Sequence, residues 1–202
     1  MLRAVFFDVG ETLVDEERWW RVLAEHSGLQ PHVVWAALGA TIERGEEHDE
    51  LWRRLGIERP TGWWHDLAYE PEDLYPDAIR SLEAVRDLGL RVGIVGNQTE
   101  ALERWAREAA LPADVISSSA SLGVRKPDPL FFERIVALAE CAPEELAYVG
   151  DRVDNDVLPA LAAGLVAVHV KRGPWGRLQT TPAGVKAIDS LDELPDALAS
   201  LM

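Results

Sequence analysis

An apolar run near the start of the chain reads Ala4-Val5-Phe6-Phe7, and Asp8 follows it directly. Similar apolar runs lead into Gly96-Asn97 and into Gly150-Asp151. Short apolar runs that end at turn-forming or polar residues are typical of strands buried inside a sheet. The sequence therefore predicts three buried strands, each with a polar group at its carboxyl end.

Stretches with helical spacing separate the predicted strands. Such alternation predicts an α/β fold, in which a parallel sheet lies between two layers of helices. We expect a three-layer, Rossmann-like core that ends in a short strand and a closing helix after residue 187. The predicted strands are 4–7, 91–95, 114–118, 146–149 and 165–170.

Residues 15–70 interrupt this alternation. They contain no plausible strand, and helical stretches are predicted near 16–26, 31–44 and 46–55. The segment also carries six of the eight tryptophans, namely Trp19, Trp20, Trp35, Trp52, Trp63 and Trp64. We interpret 1–14 and 71–202 as the core and 15–70 as an inserted, all-helical cap. We expect most of its tryptophans in the core of the cap, with one or two facing the crevice and contacting an apolar part of the substrate.

Composition narrows the function classes. The 202 residues carry a net charge of -15, which argues against a nucleic-acid partner, since such proteins present a basic face. No 18-residue apolar stretch or signal-peptide pattern is found, so we expect a cytoplasmic protein with no membrane partner. Cys141, the only cysteine, is interpreted as a packing residue. The choice between monomer and homodimer stays open.

The polar strand ends have the chemistry of a phosphoryl-transfer site. In open parallel sheets, ligands bind beyond the carboxyl ends of the strands, so Asp8, Asn97 and Asp151 would face one crevice. A carboxylate such as Asp8 can attack phosphorus. Its repulsion from a phosphate costs about 1 to 4 kcal/mol at 4 Å, so a cation is needed nearby. Asp151 and Asp156 offer oxygen ligands suited to Mg²⁺.

Four segments together carry a resemblance. In order and spacing they resemble the motifs of the haloacid dehalogenase-like hydrolases, in the phosphatase-like form with a small helical cap after the first strand. The four segments are Phe7-Asp8-Val9-Gly10-Glu11-Thr12, Val95-Gly96-Asn97, Val124-Arg125-Lys126-Pro127 and Gly150-Asp151-Arg152-Val153-Asp154-Asn155-Asp156.

The resemblance implies a Mg²⁺-dependent hydrolase that removes phosphate from a small phosphorylated metabolite through an aspartyl phosphate. It implies that Asp8 and Lys126 are catalytic. The phosphate ligands would be Gly96, Asn97 and Lys126. The metal ligands would be Asp8, Asp151, the backbone carbonyl of Gly10 and, largely from the second shell of the metal, Asp156.

Two positions depart from the family pattern. Gly10 stands where the phosphatases have an aspartate that protonates the leaving group, and Gly96 stands where Ser or Thr is usual. At position 96 the backbone N–H can still donate to phosphate, but a hydroxyl is lost. General acid–base help is worth typically about 10² to 10⁴ in rate, so we expect an impaired acid–base step. Glu11 and Asp15 are the nearby carboxylates that are candidates to replace the missing aspartate, although a role in the loop or the linker to the cap is the more common one for such residues.

Two other functions remain open at this stage. A haloacid dehalogenase would use Asp8 to attack carbon and needs neither a metal nor an acid at position 10. A catalytically silent member of the same superfamily would bind a phosphorylated ligand or a protein partner. Metal dependence separates the phosphatase from the dehalogenase.

Overall fold

The computed structural model describes residues 1–62 and 67–201. Six parallel strands form one sheet in the order β3-β2-β1-β4-β5-β6. The predicted three-layer α/β core is therefore confirmed. The strands are β1 Ala4–Phe7, β2 Arg91–Gly96, β3 Val115–Ser118, β4 Leu146–Gly150, β5 Val166–Val170 and β6 Lys186–Ile188.

Helices connect the strands and cover both faces of the sheet. The helices within the described residues are α1 Glu17–His26, α2 Pro31–Glu43, α3 Glu50–Leu55, α4 Ala78–Asp87, α5 Glu100–Glu108, α6 Ser119–Leu122, α7 Pro129–Ala139, α8 Leu158–Ala162, α9 Gly173–Leu178 and α10 Leu194–Ala199. In the described part of the chain, no helix is both long enough and apolar enough to cross a membrane.

Alternation along β1 divides the core into two layers. Val5 and Phe7 pack on one face of the sheet with α4, α5 and α10. Ala4 and Phe6 pack on the other face with α7 and the segment around α8. Successive side chains of a strand point to opposite faces, so an unbroken apolar run is needed where both faces are buried.

Helices α1, α2 and α3, hereafter the helical insert, enclose an apolar cluster of their own. Trp20, Leu38 and Trp52 belong to this cluster, and Trp35 packs against it. Trp175, from α9 of the core, joins the same cluster. Trp63 and Trp64, which were predicted from the sequence to lie in the cap, are outside the described residues, as is the adjacent His65.

The structure differs from the predicted elements after β4. A single π-helical turn covers Val153–Val157, and α8 begins only at Leu158, whereas the sequence predicted one helix over 157–163. The Arg152 carbonyl accepts hydrogen bonds from the N–H groups of both Asp156 and Val157. In this wider turn the Asp156 carboxylate points toward the sheet. Such π-bulges are frequent at functional sites.

Candidate active site

The strand order brings the predicted polar groups to one edge of the sheet. β1 lies between β2 and β4, so the residues that follow these three strands are neighbours. The Asp8 N–H donates to the Val149 carbonyl at 2.8 Å, which extends the pairing of β1 with β4 by one residue. Asp8, Asn97 and Asp151, which follow these strands, therefore lie at the same edge of the sheet. That they form one site stays a prediction.

Lys126 lies at the centre of the site. Its Nζ is 2.7 Å from Asp8 Oδ1 and 2.5 Å from Asp156 Oδ1, and the residue is only 2% exposed. Burial would lower the pKa of Lys126, but the charges of Asp156 and Asp8 outweigh it and raise that pKa well above its usual value. The lysine is therefore a fixed positive charge that bridges two carboxylates.

Asp156 is held rigidly in this position. Its Oδ2 accepts a hydrogen bond from the Arg152 N–H at 2.9 Å, and its Oδ1 faces Lys126. A Cβ atom on Gly150 would lie 2.4 Å from Asp156 Oδ2, which is far closer than such atoms approach. Glycine at position 150 therefore leaves the space that the Asp156 carboxylate occupies.

Three buried carboxylates form an acidic cluster suited to a cation. Asp8, Asp151 and Asp156 can each present one oxygen within 4.8 Å of the other two. Asp151 Oδ2 is buried and has no hydrogen-bond partner among the described residues. Burial and the nearby Asp156 and Asp8 raise the pKa of Asp151 well above its ordinary value. Buried carboxylate oxygens held close together, with the Asp151 oxygen unpaired, are what a hard cation such as Mg²⁺ binds, so the residues fit this metal.

Asp8 combines two properties of a nucleophile. It is 7% exposed, and burial raises the pKa of its carboxyl to about 6 although the charge of Lys126 lowers it. The ion pair with Lys126 favours the charged carboxylate, and burial leaves it little hydration to lose before an attack.

The side chain of Asn97 is directed differently from what the sequence predicted. Its Nδ2 donates to the Lys126 carbonyl at 3.0 Å, and its Oδ1 accepts from the Lys126 N–H at 2.8 Å. Asn97 thus holds the backbone of Lys126 in place. A direct bond from Asn97 to phosphate stays a prediction and would have to use the remaining N–H of the amide.

Steric contact explains the glycine at position 96, and the sequence alone did not reveal this contact. A Cβ atom at this position would lie 2.5 Å from Asp8 Oδ1. The Ser or Thr that is usual in the family would therefore press on the Asp8 carboxylate in this arrangement. The prediction that Gly96 only loses a hydroxyl was incomplete, because the glycine also makes room for Asp8.

Glu11 and Asp15, the two candidates to replace an acid at position 10, both accept hydrogen bonds from other groups of the protein. Glu11 Oε2 accepts from the Tyr75 hydroxyl at 2.6 Å, and Glu11 Oε1 accepts from the Glu16 N–H at 3.3 Å. Asp15 Oδ1 accepts from the Glu17 N–H at 2.8 Å, at the start of α1. Both side chains therefore serve the local structure of the loop.

Sequence reasoning missed Glu16. A Cβ atom added to Gly10 would lie 2.2 Å from Glu16 Oε1, so the carboxyl of Glu16 fills the space beside Gly10. Burial, together with the nearby Glu11 and Asp8, raises the pKa of Glu16 to about 8. The sequence holds no short-range signal for this contact, because it depends on how the chain reverses between Gly10 and α1.

A cavity of about 970 Å³ opens between the helical insert and the core. Glu16 and Asn97 lie in its wall, and Asn97 is bonded to Lys126 beside the acidic cluster. Part of the remaining wall is aromatic or cationic. It includes Trp19, Trp20, Trp52, Tyr69, Arg59 and Arg125. The predicted role of one or two tryptophans in the crevice is therefore compatible with the structure.

Comparison with known proteins identifies the family. The sequence profile of the haloacid dehalogenase-like hydrolases matches residues 2–164. The glyceraldehyde 3-phosphate phosphatase of Methanopyrus kandleri is 28% identical over 87% of this chain and 86% of its own length. The phosphoserine phosphatase of Thermus thermophilus is 37% identical over 50% of this chain and 41% of its own length.

A solved structure supports the same assignment at the level of the fold. The HAD phosphatase from Thermococcus onnurineus superposes with a TM-score of 0.61 at 22% identity, and the match covers 98% of each chain. The acidic cluster, the strand order and the profile match over most of the chain agree. This chain therefore belongs to the haloacid dehalogenase-like hydrolases.

Proposed function

We propose that this hydrolase is a Mg²⁺-dependent phosphatase that acts on a small phosphorylated metabolite through an aspartyl phosphate on Asp8. One observation carries the proposal. Lys126 is buried between Asp8 and Asp156, while Asp151 beside them keeps a buried oxygen without a partner among the described residues. The phosphatases among the curated relatives support the same reaction class.

Asp8 would carry the phosphoryl group. Its free oxygen would attack phosphorus, and the ester P–O bond would break as the leaving oxygen takes a proton. Water would then attack the same phosphorus, the bond to Asp8 would break, and phosphate would leave. Two such displacements are easier than a direct attack by water. Lys126 would neutralise charge on Asp8 and on the phosphoryl oxygens, with Gly96 and Asn97 lining the phosphate position.

Asp8 and Asp151 would hold the metal together with the Gly10 carbonyl, and Asp156 would act mainly by holding Lys126. When bound, Mg²⁺ supplies positive charge that stabilises the phosphoryl oxygens in the transition state. Gly10 keeps a carbonyl for this site but offers no acid. The proposal therefore predicts slow turnover of poor leaving groups unless another carboxyl serves as the acid.

We further propose that residues 15–70 are a cap that encloses the substrate. The cavity between the helical insert and the core supports this role, because its wall reaches Glu16 and Asn97 beside the cluster. The substrate class suggested by the relatives is a small phosphomonoester. The aromatic wall would pack against its organic part, and the arginines would favour an additional negative group.

The test is hydrolysis of p-nitrophenyl phosphate by the full-length protein with Mg²⁺, compared with EDTA and with Asp8→Asn. We expect turnover that is lost in both comparisons. A phosphoryl group on Asp8, detected by mass spectrometry after acid quenching, would identify the intermediate. Asp154→Asn is a matched control, since Asp154 lies in the same segment but pairs with Arg152 at 2.6 Å instead of joining the cluster.

Two results would contradict the proposal. Absence of both hydrolysis and phosphorylated Asp8 in the wild-type protein would favour a silent member of the family. Release of halide from 2-haloacids that persists in EDTA and disappears in Asp8→Asn would favour the dehalogenase instead.

A further inference from the structure

We propose that Glu16 is the catalytic acid and base of this enzyme and that it replaces the carboxyl missing at position 10. This inference rests on the phosphatase function proposed above and adds a residue that neither the motifs nor the predicted site contains. It would also remove the expected impairment of the acid–base step.

The first argument is the space that Glu16 occupies. Position 10 is where the phosphatases carry the side chain of their acid. In this structure a Cβ atom on Gly10 would lie 2.2 Å from Glu16 Oε1 and 2.8 Å from Glu16 Cδ. The Glu16 carboxyl thus lies where the side chain of residue 10 would begin, and an aspartate at position 10 would need Glu16 to move.

The second argument is the backbone that brings Glu16 there. The Val9 carbonyl accepts from the N–H groups of Thr12, Leu13 and Val14, so the chain closes a tight loop directly after the nucleophile. A bridge pairs Gly10 with Val14 across that loop. Glu16 follows two residues later and immediately precedes α1, which points its side chain back to the loop.

The third argument is access to substrate. Glu16 lies in the wall of the cavity between the helical insert and the core, together with Asn97. Glu11 is 5% exposed and is bonded to Tyr75, and Asp15 is bonded to the start of α1. Of these three loop carboxylates, Glu16 is the one that lines the cavity, and Asn97 in the same wall is bonded to Lys126 of the site.

A single carboxyl can serve as the acid in the first step and as the base in the second. In the first step protonated Glu16 would give its proton to the leaving oxygen as the ester P–O bond breaks. In the second step Glu16 carboxylate would take a proton from the water that attacks phosphorus, and the bond to Asp8 would break. Glu16 ends protonated and Asp8 ends as a carboxylate, so both residues return to their starting states.

The first experiment compares Glu16→Gln with the wild type on two substrates of similar shape. Phenyl phosphate has a poorer leaving group than p-nitrophenyl phosphate and therefore needs the acid more. We expect kcat on phenyl phosphate to fall by about 10² to 10⁴, with little change in KM. On p-nitrophenyl phosphate, the rate of the first step, in which Asp8 is phosphorylated, should fall less. Glu17→Gln is the matched control, because Glu17 is exposed and pairs with Arg21.

The intermediate gives a second readout. With p-nitrophenyl phosphate, Glu16→Gln would still form the aspartyl phosphate but would hydrolyse it slowly. We expect a burst of nitrophenolate and phosphorylated Asp8 that accumulates in the variant but not in the wild type. Equal rates and no accumulation in Glu16→Gln would overturn the role of Glu16. If the wild type itself neither turns over nor becomes phosphorylated, the phosphatase proposal fails and this inference fails with it.

A relocation experiment excludes a merely structural role. Glu16→Ala should lose activity. Adding Gly10→Asp to Glu16→Ala should raise kcat by about tenfold or more over Glu16→Ala alone, because the aspartate then has room beside Asp8 and can act as the acid. Gly10→Asp alone should gain little. A gain of about tenfold or more in Gly10→Asp with Glu16 present would mean that the wild type has no acid, and would contradict the proposal.

Discussion

At position 96 a missing side chain determines where the Asp8 carboxylate can lie. The space that a Cβ atom would fill is taken by Asp8 Oδ1, at 2.5 Å, with Val9 also in contact. Val9 Cγ2 would lie 3.2 Å from the added Cβ atom. Neither neighbour can move far, because Asp8 is tied to Lys126 and the Val9 side chain is buried.

Gly96→Ala therefore tests how finely Asp8 is positioned. We expect kcat to fall by about 10² while the protein stays folded, since a displacement of about 1 Å at a reacting atom can cost this much. The measurement is steady-state kinetics with circular dichroism on the same samples.

Gly39→Ala is the control for the added methyl group. Its Cβ would meet only Leu178, at the ordinary contact distance of 3.8 Å, in the middle of α2. A Gly96→Ala enzyme as active as this control would show that Asp8 has more freedom than the contacts imply.

At the scale of elements, Asp77 links the start of α4 to the end of the chain. Its carboxylate pairs with the Arg172 guanidinium and accepts from the Ser190 hydroxyl at 2.7 Å and the Leu191 N–H at 3.0 Å. Burial alone would raise the pKa of Asp77, but the hydrogen bonds and charge of its partners hold it below the usual value. The carboxylate therefore stabilises the fold in its charged form.

The expected pH dependence follows from this lowered pKa. The stabilisation is complete above the unfolded pKa of about 3.9 and is lost as the pH falls through the lower, folded value. Asp77→Asn should lower the free energy of unfolding by about 3 to 5 kcal/mol near neutral pH, because it leaves Arg172 buried without its partner. The variant should also lose less stability than the wild type on acidification.

Urea unfolding at several pH values measures both effects. Asp196→Asn, at an exposed position of α10, supplies the comparison for removing one carboxylate. Equal stability of Asp77→Asn and the wild type near neutral pH would argue against a structural role for this ion pair.

At the scale of the whole molecule, Trp175 joins the core to the helical insert. Its ring belongs to the insert's apolar cluster although α9 is part of the core. The Arg152 guanidinium carbon lies 3.7 Å from its ring centre, and the His48 ring packs edge-on at 5.9 Å. Arg152 directly follows Asp151, so the same contact connects the insert to the site.

Trp175→Ala should loosen the insert. We expect a loss of about 3 to 5 kcal/mol in the free energy of unfolding, the usual cost of such a core truncation. Trypsin should cleave the insert faster, at exposed residues such as Arg44 and Arg53. Leu88→Ala, where the leucine is 42% exposed, is the control. An unchanged cleavage rate in Trp175→Ala would show that the insert is held by its other contacts.

The sequence could predict the sheet and the acidic side of the site because both depend on local patterns. The unbroken apolar run before Asp8 predicts a strand buried on both faces, and the similar run before Gly150 does the same. Parallel strands bring their carboxyl ends to one edge, so Asp8 and Asp151 could be placed together from the strand pattern. Lys126 follows no strand, and only the resemblance to the family placed it in the site. The chemistry of these side chains then suggested their roles.

Other features depend on contacts between residues that no local pattern relates. Helices α6 and α9 are short, so their few residues carry little periodic signal. The π turn at Val153 contains Asp156, whose contact with Lys126 no local pattern predicts. Glycine at position 96 appeared as a lost hydroxyl until the Asp8 carboxylate was found in its space.

The amino-acid sequence alone determined the α/β class, the order of the strands along the chain and the identity of the buried charges, because apolar spacing and side-chain chemistry act at short range. Only the tertiary structure decided that Asn97 holds the backbone of Lys126 and that Glu16, rather than Glu11 or Asp15, lies beside Gly10. The physical reason is that these positions are fixed by packing across a folded loop, where two side chains cannot occupy the same space.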